Sequence, residues 1–223
     1  MLRLQNKKIL FYISLFFIIG TFNNKNLNSI NLLKIDQIKI DGLTNEKNNE
    51  IAESLEIFKI DNLFVLNKFK IIELLNSYNH IEDFSVFKKY PSSLNIKLNE
   101  TKYLAVLNKE NQKFYIGSNG KLIKFFPIKI NLPFVFGNFR QDEFLKLKQT
   151  IDKSNFRYDQ VKNLFHFPSG RWDIETISGK LLKLPRDNLD KSLNLFLTLL
   201  ENKKFKNSKV IDLRQSNQVI IND

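Results

Sequence analysis

The sequence predicts an α+β protein in which an N-terminal transmembrane helix precedes two folded units. Three observations point to this fold class. One long apolar run lies near the start, at Ile9–Phe22. After it, about 70 residues follow the order β-α-α-β-β, and the rest of the chain has many short strands and two or three helices. We therefore expect the last part to be a mostly antiparallel β domain.

The apolar run is either a cleaved export signal or a membrane anchor. Its fourteen residues would extend about 21 Å as a helix, whereas the apolar core of a bilayer is about 30 Å thick. Asparagine and lysine follow the run, and no alanine occurs before Ala52, so the small residues of a cleavage site are missing. This favours an uncleaved anchor.

Basic residues ahead of the run predict a cytoplasmic N-terminus and a periplasmic C-terminal bulk. They are Arg3, Lys7 and Lys8. The predicted organisation is a cytoplasmic tail at residues 1–8, followed by the transmembrane anchor and the start of a linker at residues 9–27. Two folded units at 33–101 and 102–223 complete it.

Composition excludes several classes of function. The net charge of +12 comes almost entirely from lysines spread along the chain, and no RNA-binding or zinc pattern occurs, so we predict no nucleic-acid binding. The bias towards Lys, Asn, Ile and Phe is typical of an AT-rich genome. The chain has no cysteine, which excludes disulfides, thiolate metal sites and thiol catalysis.

The first unit is predicted to begin with a strand and a helix. Ile38 and Ile40 alternate with polar residues, as in a half-buried strand, and Gly42 closes that strand. Thr44 is expected to cap the helix. The apolar residues of that helix fall at helical spacing and are Ile51, Ala52, Leu55 and Phe58.

A second helix is predicted from about Asn67 to Tyr78, and two strands complete the unit. The apolar stripe of this helix is expected to consist of Phe69, Ile72 and Leu75, flanked by Ile71 and Leu74. Phe84 and Val86 lie in the first of the two strands. The second strand has a strict apolar alternation at Leu94, Ile96 and Leu98.

The second unit is predicted to open with hairpins. Tyr103–Leu107 and Phe114–Ile116 flank a polar turn, and Asn119-Gly120 is a strong turn signal before a further strand. One helix is predicted at about Gln141 to Lys153. Its buried side is expected to contain Phe144, Leu145, Leu147 and Ile151.

Strands resume after that helix. Trp172 and Ile174 alternate with Asp173 and Glu175, which is typical of a strand, and we expect Trp172 to be a core residue. Asp187 is expected to cap a last helix. The stripe of this helix consists of Leu189, Leu193, Phe196, Leu197 and Leu200, and we expect Phe196 to be a core residue. The chain closes with strands at Val210–Leu213 and Val219–Ile221.

The sequence offers little for catalysis. His80 and His166 are far apart and form no metal-binding spacing, and no nucleotide-binding or nucleophile motif occurs. The paired acids at 82–83 and 142–143 lie at predicted element ends, where they are commonly solvated caps. We therefore predict no enzymatic activity, no metal and no cofactor.

The C-terminal strand pair is the more informative feature. A terminal strand can leave backbone N–H and C=O groups unpaired at the edge of a sheet, and such an edge is a template for an incoming strand. The alternative is a protected edge, in which polar side chains such as Arg214, Asn217 and Asn222 prevent pairing.

Several segments resemble a known family. The β-α-α-β-β unit, with its ending FSVFKKYPSSLNIKLNE (84–100), resembles the POTRA domain of the bacterial cell-division proteins of the FtsQ/DivIB family. The C-terminal half is also similar to this family. Its matching segments are YIGSNGKLI (115–123), NLPFVFG (131–137), GRWDIETISGKLLKLP (170–185) and KVIDLRQSNQVII (209–221).

The resemblance implies a POTRA domain at 33–101 and an FtsQ-type β domain at 102–223. It implies a single-pass inner-membrane protein at the division septum that binds the FtsB–FtsL pair by strand addition and links early and late division proteins. Other division proteins would bind the POTRA domain. The partner-binding residues that the resemblance implies are Arg171, Arg214, Gln215, Asn217 and Val219.

Two alternatives from other classes remain open at this stage. The first is a periplasmic POTRA protein of outer-membrane protein assembly or transport, which would have several POTRA units or a barrel of amphipathic strands. The second is an enzyme acting on cell-wall polymer, which needs a pair of acids facing a cleft. Gln215 departs from the family pattern, since an aromatic residue is common at that position and aromatic residues are frequent binding hot spots.

Overall fold

The computed structural model describes residues 2–22, 34–64, 66–202, 208–215 and 218–222. The chain forms two compact units. The first comprises residues 1–74 and 84–98, and the second comprises residues 75–83 and 99–223. Each unit is described separately below.

An N-terminal α-helix, α1 (Leu2–Phe22), covers the apolar run. Its apolar side chains between Ile9 and Ile18 are strongly exposed on all sides. The prediction of a transmembrane helix is not confirmed, because no helix among the described residues is both long enough and apolar enough to cross a membrane. The physical reason is that three basic residues occupy the first third of α1, which leaves an apolar part of only about 21 Å. Residues 23–27 of the predicted anchor lie outside the described residues.

The first unit contains the predicted β-α-α-β-β order. A 3₁₀ segment at Glu56–Ile60 separates the two helices. The three strands form a sheet in the order β1-β3-β2, with β1 parallel to β3. The elements are β1 (Gln37–Asp41), α2 (Asn45–Leu55), α3 (Lys68–Ser77), β2 (Ile81–Lys89) and β3 (Ser93–Glu100).

The turn after β1 requires glycine. Gly42 has a φ of +119°, and a Cβ atom at this position would lie 1.8 Å from the carbonyl oxygen of Leu98. Thr44 occupies the predicted N-cap position of α2, but its side chain makes no capping hydrogen bond. The predicted alternation of β3 is confirmed, since its apolar side chains are buried: Leu94, Ile96 and Leu98.

The predicted stripe of α3 is partly confirmed. Leu75 and the flanking Ile71 are fully buried, whereas Phe69 is 68% exposed and Ile72 is 37% exposed. Both sets of residues fall at helical spacing, so the sequence pattern fits either phase of the helix. The structure has the phase that buries Ile71 and Leu75.

The second unit is built on a nine-stranded mixed sheet. Its strand order is β12-β11-β10-β9-β8-β7-β4-β5-β6. Five neighbouring pairs are antiparallel, and three are parallel. The strands are β4 (Tyr103–Lys109), β5 (Gln112–Gly117), β6 (Leu122–Lys124), β7 (Phe134–Phe136), β8 (Val161–His166), β9 (Trp172–Thr176), β10 (Leu181–Lys183), β11 (Val210–Asp212) and β12 (Ile220–Asn222).

Two α-helices of the described chain pack on one face of this sheet. Helix α4 (Gln141–Lys153) has the predicted bounds, and α5 (Leu189–Glu201) follows β10. Buried residues of both helices and of the strands share one core. Trp172 and Phe196 belong to that core, which confirms their predicted role.

The prediction that Asp187 caps the last helix is wrong. Asn188 is the N-cap residue of α5, and its backbone has a left-handed conformation with a φ of 58°. Asparagine tolerates this conformation better than most residues, because its short polar side chain can bond locally. The helix therefore begins one residue later than the aspartate suggested.

Candidate functional site

The outer strand β12 is the centre of the candidate site. It pairs antiparallel with β11 through the register Val210↔Asn222, Ile211↔Ile221 and Asp212↔Ile220. Since β12 is the last strand in the sheet order, its other side carries no paired strand among the described residues. An outer strand in this state offers backbone N–H and C=O groups to an incoming strand.

A charged row crosses the sheet beside this edge. Register places Asp173 of β9 opposite Lys183 of β10, and Lys183 opposite Asp212 of β11. The residues that alternate with them are buried in the helix-covered core: Ile174, Leu182 and Ile211. Side chains alternate between the two faces of a strand, so the charged row lies on the face opposite α4 and α5.

An arginine and an aspartate form a close pair at the end of β11. The Arg214 Nε donates to both carboxylate oxygens of Asp212 at 2.8 and 2.9 Å, and its Nη2 donates to Oδ2 at 2.5 Å. The Arg214 backbone N–H also donates to Oδ1 at 3.1 Å. These hydrogen bonds lower the pKa of the Asp212 carboxyl below its ordinary value. Arg214 is therefore ion-paired within its own chain through Nε and Nη2.

A second pair, at β9, is looser. The Arg171 Nε lies 3.6 Å from Asp173 Oδ1, and both of these atoms are buried without a hydrogen-bond partner in the described structure. The Arg171 guanidinium also lies 4.1 Å from the centre of the Phe167 ring. Burial raises the pKa of Asp173, against the attraction of nearby cations such as Arg171 and Lys183. Arg171 is thus held in place while its hydrogen-bonding capacity stays largely unused.

A cleft of about 630 Å³ lies beside the edge. One wall comes from the start of α5 and the loop before it, and the other comes from the segment that leads into β12. Leu195 and Val219 supply apolar surface, and both are more than a third exposed. The polar lining includes Arg214, Gln215 and Gln218. The cleft therefore offers both apolar and polar surface next to the segment that leads into β12.

Four of the five site residues predicted from the sequence lie at this end of the sheet. Arg214, Gln215 and Val219 line the cleft, and Arg171 lies at the start of β9. Asn217 lies outside the described residues. Val219 directly precedes β12, which begins at Ile220 and not at Val219 as predicted.

Sequence reasoning missed Asp173, Lys183 and Leu195. Asp173 lies on the face opposite Trp172, as the alternation requires, but it is only 3% exposed. A signal was present in the spacing. Arg171 and Asp173, like Asp212 and Arg214, are two residues apart, and this spacing places both members of a pair on one face of a strand.

The structure shows no group of three metal-ligating side chains within the described ranges. His166 lies opposite Trp172 in the register of β8 and β9, and its Nδ1 bonds the Asn138 carbonyl oxygen at 2.7 Å. Its ring also lies 4.7 Å from Trp172. His166 is thus part of the packing around Trp172.

Comparisons with known proteins match nearly the whole folded part of the chain. The family model for the FtsQ-type POTRA domain matches residues 33–101, and the model for the C-terminal part of cell division protein FtsQ/DivIB matches residues 105–214. Cell division protein FtsQ of Rickettsia bellii (strain RML369-C) is 29% identical over 187 residues, which cover 81% of this chain and 69% of that protein.

One solved structure is also similar. It is the major extracytoplasmic domain of the trans isomer of the cell division protein DivIB from Geobacillus stearothermophilus, with 14% sequence identity and a TM-score of 0.36. The match covers 50% of this chain and 99% of that domain. The score is too low to support an argument about the fold.

Proposed function

Because the chain belongs to the FtsQ/DivIB family of cell-division proteins, we propose that it is a non-enzymatic scaffold of division that binds an FtsB–FtsL-like pair. The observation that carries this proposal is the outer strand β12, which follows directly on a segment that lines a cleft. The proposed parts are a POTRA domain at 33–101 and a β domain at 102–223, and the proposed place of action is the division septum.

Strand addition is the proposed mode of binding. A partner strand pairs with the backbone of β12, and its alternate side chains reach the cleft beside Val219 and Leu195. Ile220 is 45% exposed and offers further apolar surface. The partner gains backbone hydrogen bonds along the strand and burial of apolar side chains in the cleft, and both stabilise the complex.

Acidic groups of the partner are proposed to bind Arg171. Its guanidinium is positioned by Asp173 and Phe167, but it forms no hydrogen bond with either of them. A carboxylate can use the planar fork of donors in a bidentate contact. Arg214 is proposed chiefly to hold Asp212 and to line the cleft, and Gln215 is proposed to line the cleft beside it. Asn217 stays a predicted partner-binding residue.

Proline substitution tests the strand-addition mode. Successive N–H groups of a strand point to opposite sides, so one of Ile220 and Ile221 donates towards β11 and the other faces outward. Proline removes the donor, whereas alanine keeps it. We expect the outward position to lose partner binding on substitution by proline while the variant stays folded.

The measurement compares Ile220→Pro and Ile221→Pro with Ile220→Ala and Ile221→Ala. Binding is followed by co-purification of the FtsB–FtsL-like pair, and folding by circular dichroism. If both proline variants fold and bind as tightly as the unmodified chain, strand addition at β12 is wrong. A POTRA surface then becomes the better candidate.

Attachment to the inner membrane is proposed to run through α1. Nine large apolar side chains of this helix, between Ile9 and Ile18, are between 40% and 75% exposed. Such a surface is costly in water and is stabilised by lipid. Flotation of the full chain with vesicles tests attachment, with a chain carrying Phe16→Lys and Phe17→Lys as the comparison. An unmodified chain that stays in the soluble fraction would contradict the proposal.

A further inference from the structure

The first unit has an exposed apolar surface that the proposed function does not use. It is formed by Ile57 and Ile60 of the 3₁₀ segment, Phe64 of the loop that follows, and Tyr90 after β2. These side chains are 65%, 77%, 58% and 53% exposed. We call this surface the Ile60 patch. Isolated apolar residues are common on protein surfaces, whereas a cluster of large ones marks an interaction site.

Phe64 contacts Tyr90, and Ile57 and Ile60 lie in the 3₁₀ segment that ends four residues before Phe64. In a 3₁₀ helix, side chains three residues apart lie one above the other, so Ile57 and Ile60 share a side. The centres of the Phe64 and Tyr90 rings are 4.6 Å apart. The Lys88 Nζ donates to the carbonyl oxygen of Phe64 at 3.2 Å, which ties the end of β2 to this loop.

The chain re-enters the described structure beside the same patch. Lys34 forms an isolated antiparallel bridge with Asn62, two residues before Phe64. The Asp36 backbone N–H donates to the Ser92 carbonyl oxygen at 2.8 Å, two residues after Tyr90. Lys34, the first described residue after α1, therefore lies at the end of the unit that carries the Ile60 patch.

The length of chain between α1 and Lys34 limits their separation. Phe22 ends α1, and Lys34 is twelve residues further along. Even a fully extended stretch of this length reaches only about 43 Å. A surface tethered this closely to a membrane-attached helix meets the bilayer at a high effective concentration, so even weak contacts are populated.

We propose that the Ile60 patch contacts the surface of the phospholipid bilayer and holds the first unit against the membrane. Its chemistry fits the membrane–water interface, where tyrosine and other amphipathic side chains are enriched. Charged residues of both signs neighbour the patch along the chain, and two of the lysines are engaged within the unit. Lys59 pairs with Glu56, and Lys88 donates to the carbonyl oxygens of Phe64 and Leu66. The inference rests on the proposed attachment of α1.

A single-cysteine probe in the full chain tests the contact. The chain has no cysteine, so Ile60→Cys gives one labelling site for a fluorescent bimane group. The labelled chain is reconstituted into phosphatidylcholine vesicles with phosphatidylglycerol, and quenching by doxyl-labelled lipids is measured. Asn45→Cys is the matched control, because it is exposed and lies at the other end of α2, about 15 Å from the start of the 3₁₀ segment.

We expect the probe at position 60 to be quenched at least about twofold more strongly than the probe at position 45, since only the former enters the interface. Phe64→Glu, added to the Ile60→Cys chain, should reduce that quenching while the chain still floats with the vesicles. A glutamate at a side chain that is already exposed is compatible with folding, so this variant separates lipid contact from loss of structure.

Each contrary outcome has a distinct meaning. Equal quenching at positions 60 and 45 in a chain that floats overturns the proposal and leaves the attachment of α1 intact. A chain that does not float overturns both. A probe at position 60 that responds only when the FtsB–FtsL-like pair is added, without quenching by lipid, overturns the lipid assignment and identifies a protein contact.

Discussion

Two arginine–aspartate pairs with the same spacing along the chain differ in their hydrogen bonding and in the direction in which the pKa of the aspartate is shifted. Arg214 and Asp212 form short bidentate hydrogen bonds, and their side chains are 41% and 9% exposed. Arg171 and Asp173 are 3.6 Å apart without a hydrogen bond, and their side chains are 26% and 5% exposed. Hydrogen bonding lowers the pKa of Asp212, whereas burial raises the pKa of Asp173.

The difference shows that one sequence pattern can serve two roles. A pair joined by short bidentate hydrogen bonds closes a strand end and fixes the arginine to its own chain. A buried pair whose hydrogen bonds are incomplete holds a cation in place with donors to spare, at some cost in stability. On this comparison, Arg171 is the better candidate for a partner's carboxylate, and Arg214 is the better candidate for a local support.

The largest expected effect comes from the side chain between the members of the looser pair. Trp172 separates Arg171 from Asp173 in sequence and is buried on the core face, with its ring 5.4 Å from that of Phe139. Trp172→Ala should lower the free energy of unfolding by about 3–5 kcal/mol. Urea denaturation followed by circular dichroism measures this. Loss of partner binding with unchanged unfolding would place Trp172 in the interface instead of the core.

The buried pair gives the second largest effect. Arg171→Ala leaves the Asp173 carboxylate buried without its nearest cation, and we expect a loss of about 3 kcal/mol in the free energy of unfolding. The same variant should weaken binding of the FtsB–FtsL-like pair. Arg171→Lys is the matched control, because it keeps the charge and removes the planar fork. Equal binding by all three chains would exclude Arg171 from recognition.

The hydrogen-bonded pair should contribute less. Arg214→Ala leaves the Asp212 carboxylate, whose side chain is 9% exposed, without its cation, but the carboxylate keeps its hydrogen bond from the backbone N–H of residue 214. We expect a loss of about 2 kcal/mol in the free energy of unfolding. Denaturation in urea at low and high salt tests it. A loss as large as that of Arg171→Ala would remove the distinction between the two pairs.

Local patterns were sufficient to predict much of the fold. The alternation in β3 and the bounds of α4 follow from side-chain periodicity, and the structure has both. The phase of α3 did not follow, because Phe69 and Ile71 belong to two stripes that are both apolar. The same limit applies to Asp187, where the choice of Asn188 as the cap depends on backbone conformation.

Contacts distant in sequence could not be predicted. Strand β7 lies between β4 and β8, and β10 lies parallel to β11, and neither pairing has a local signal. The edge position of the last strand was predicted from its place at the end of the chain and from the family resemblance. The burial of Asp173 depends on which strands flank β9. Periodicity therefore predicted the face of the strand on which Asp173 lies, but not how deeply its side chain is buried.

The smallest expected effect, and the sharpest test of the comparison, is the pH dependence of the two aspartates. The folded-state pKa of Asp212 is lowered below 3.8, so its stabilising contribution is present above that pH and is lost as the pH falls through the folded value. The pKa of Asp173 is raised above 3.8, so its contribution is largest below that pH and declines as the pH rises. The contributions of the two aspartates to stability therefore change in opposite directions with pH.

Substitution by asparagine removes each titration in turn. From about pH 7 to about pH 3, the stability advantage of the unmodified chain over Asp212→Asn should shrink, because protonation removes the charge that Arg214 binds. Over the same range, the unmodified chain should become more stable relative to Asp173→Asn, because protonation removes the buried charge of Asp173. Urea unfolding at several pH values measures both differences. Parallel pH trends for the two variants would show that both carboxylates are governed by hydrogen bonding, and the looser pair would then have no spare donors for a partner.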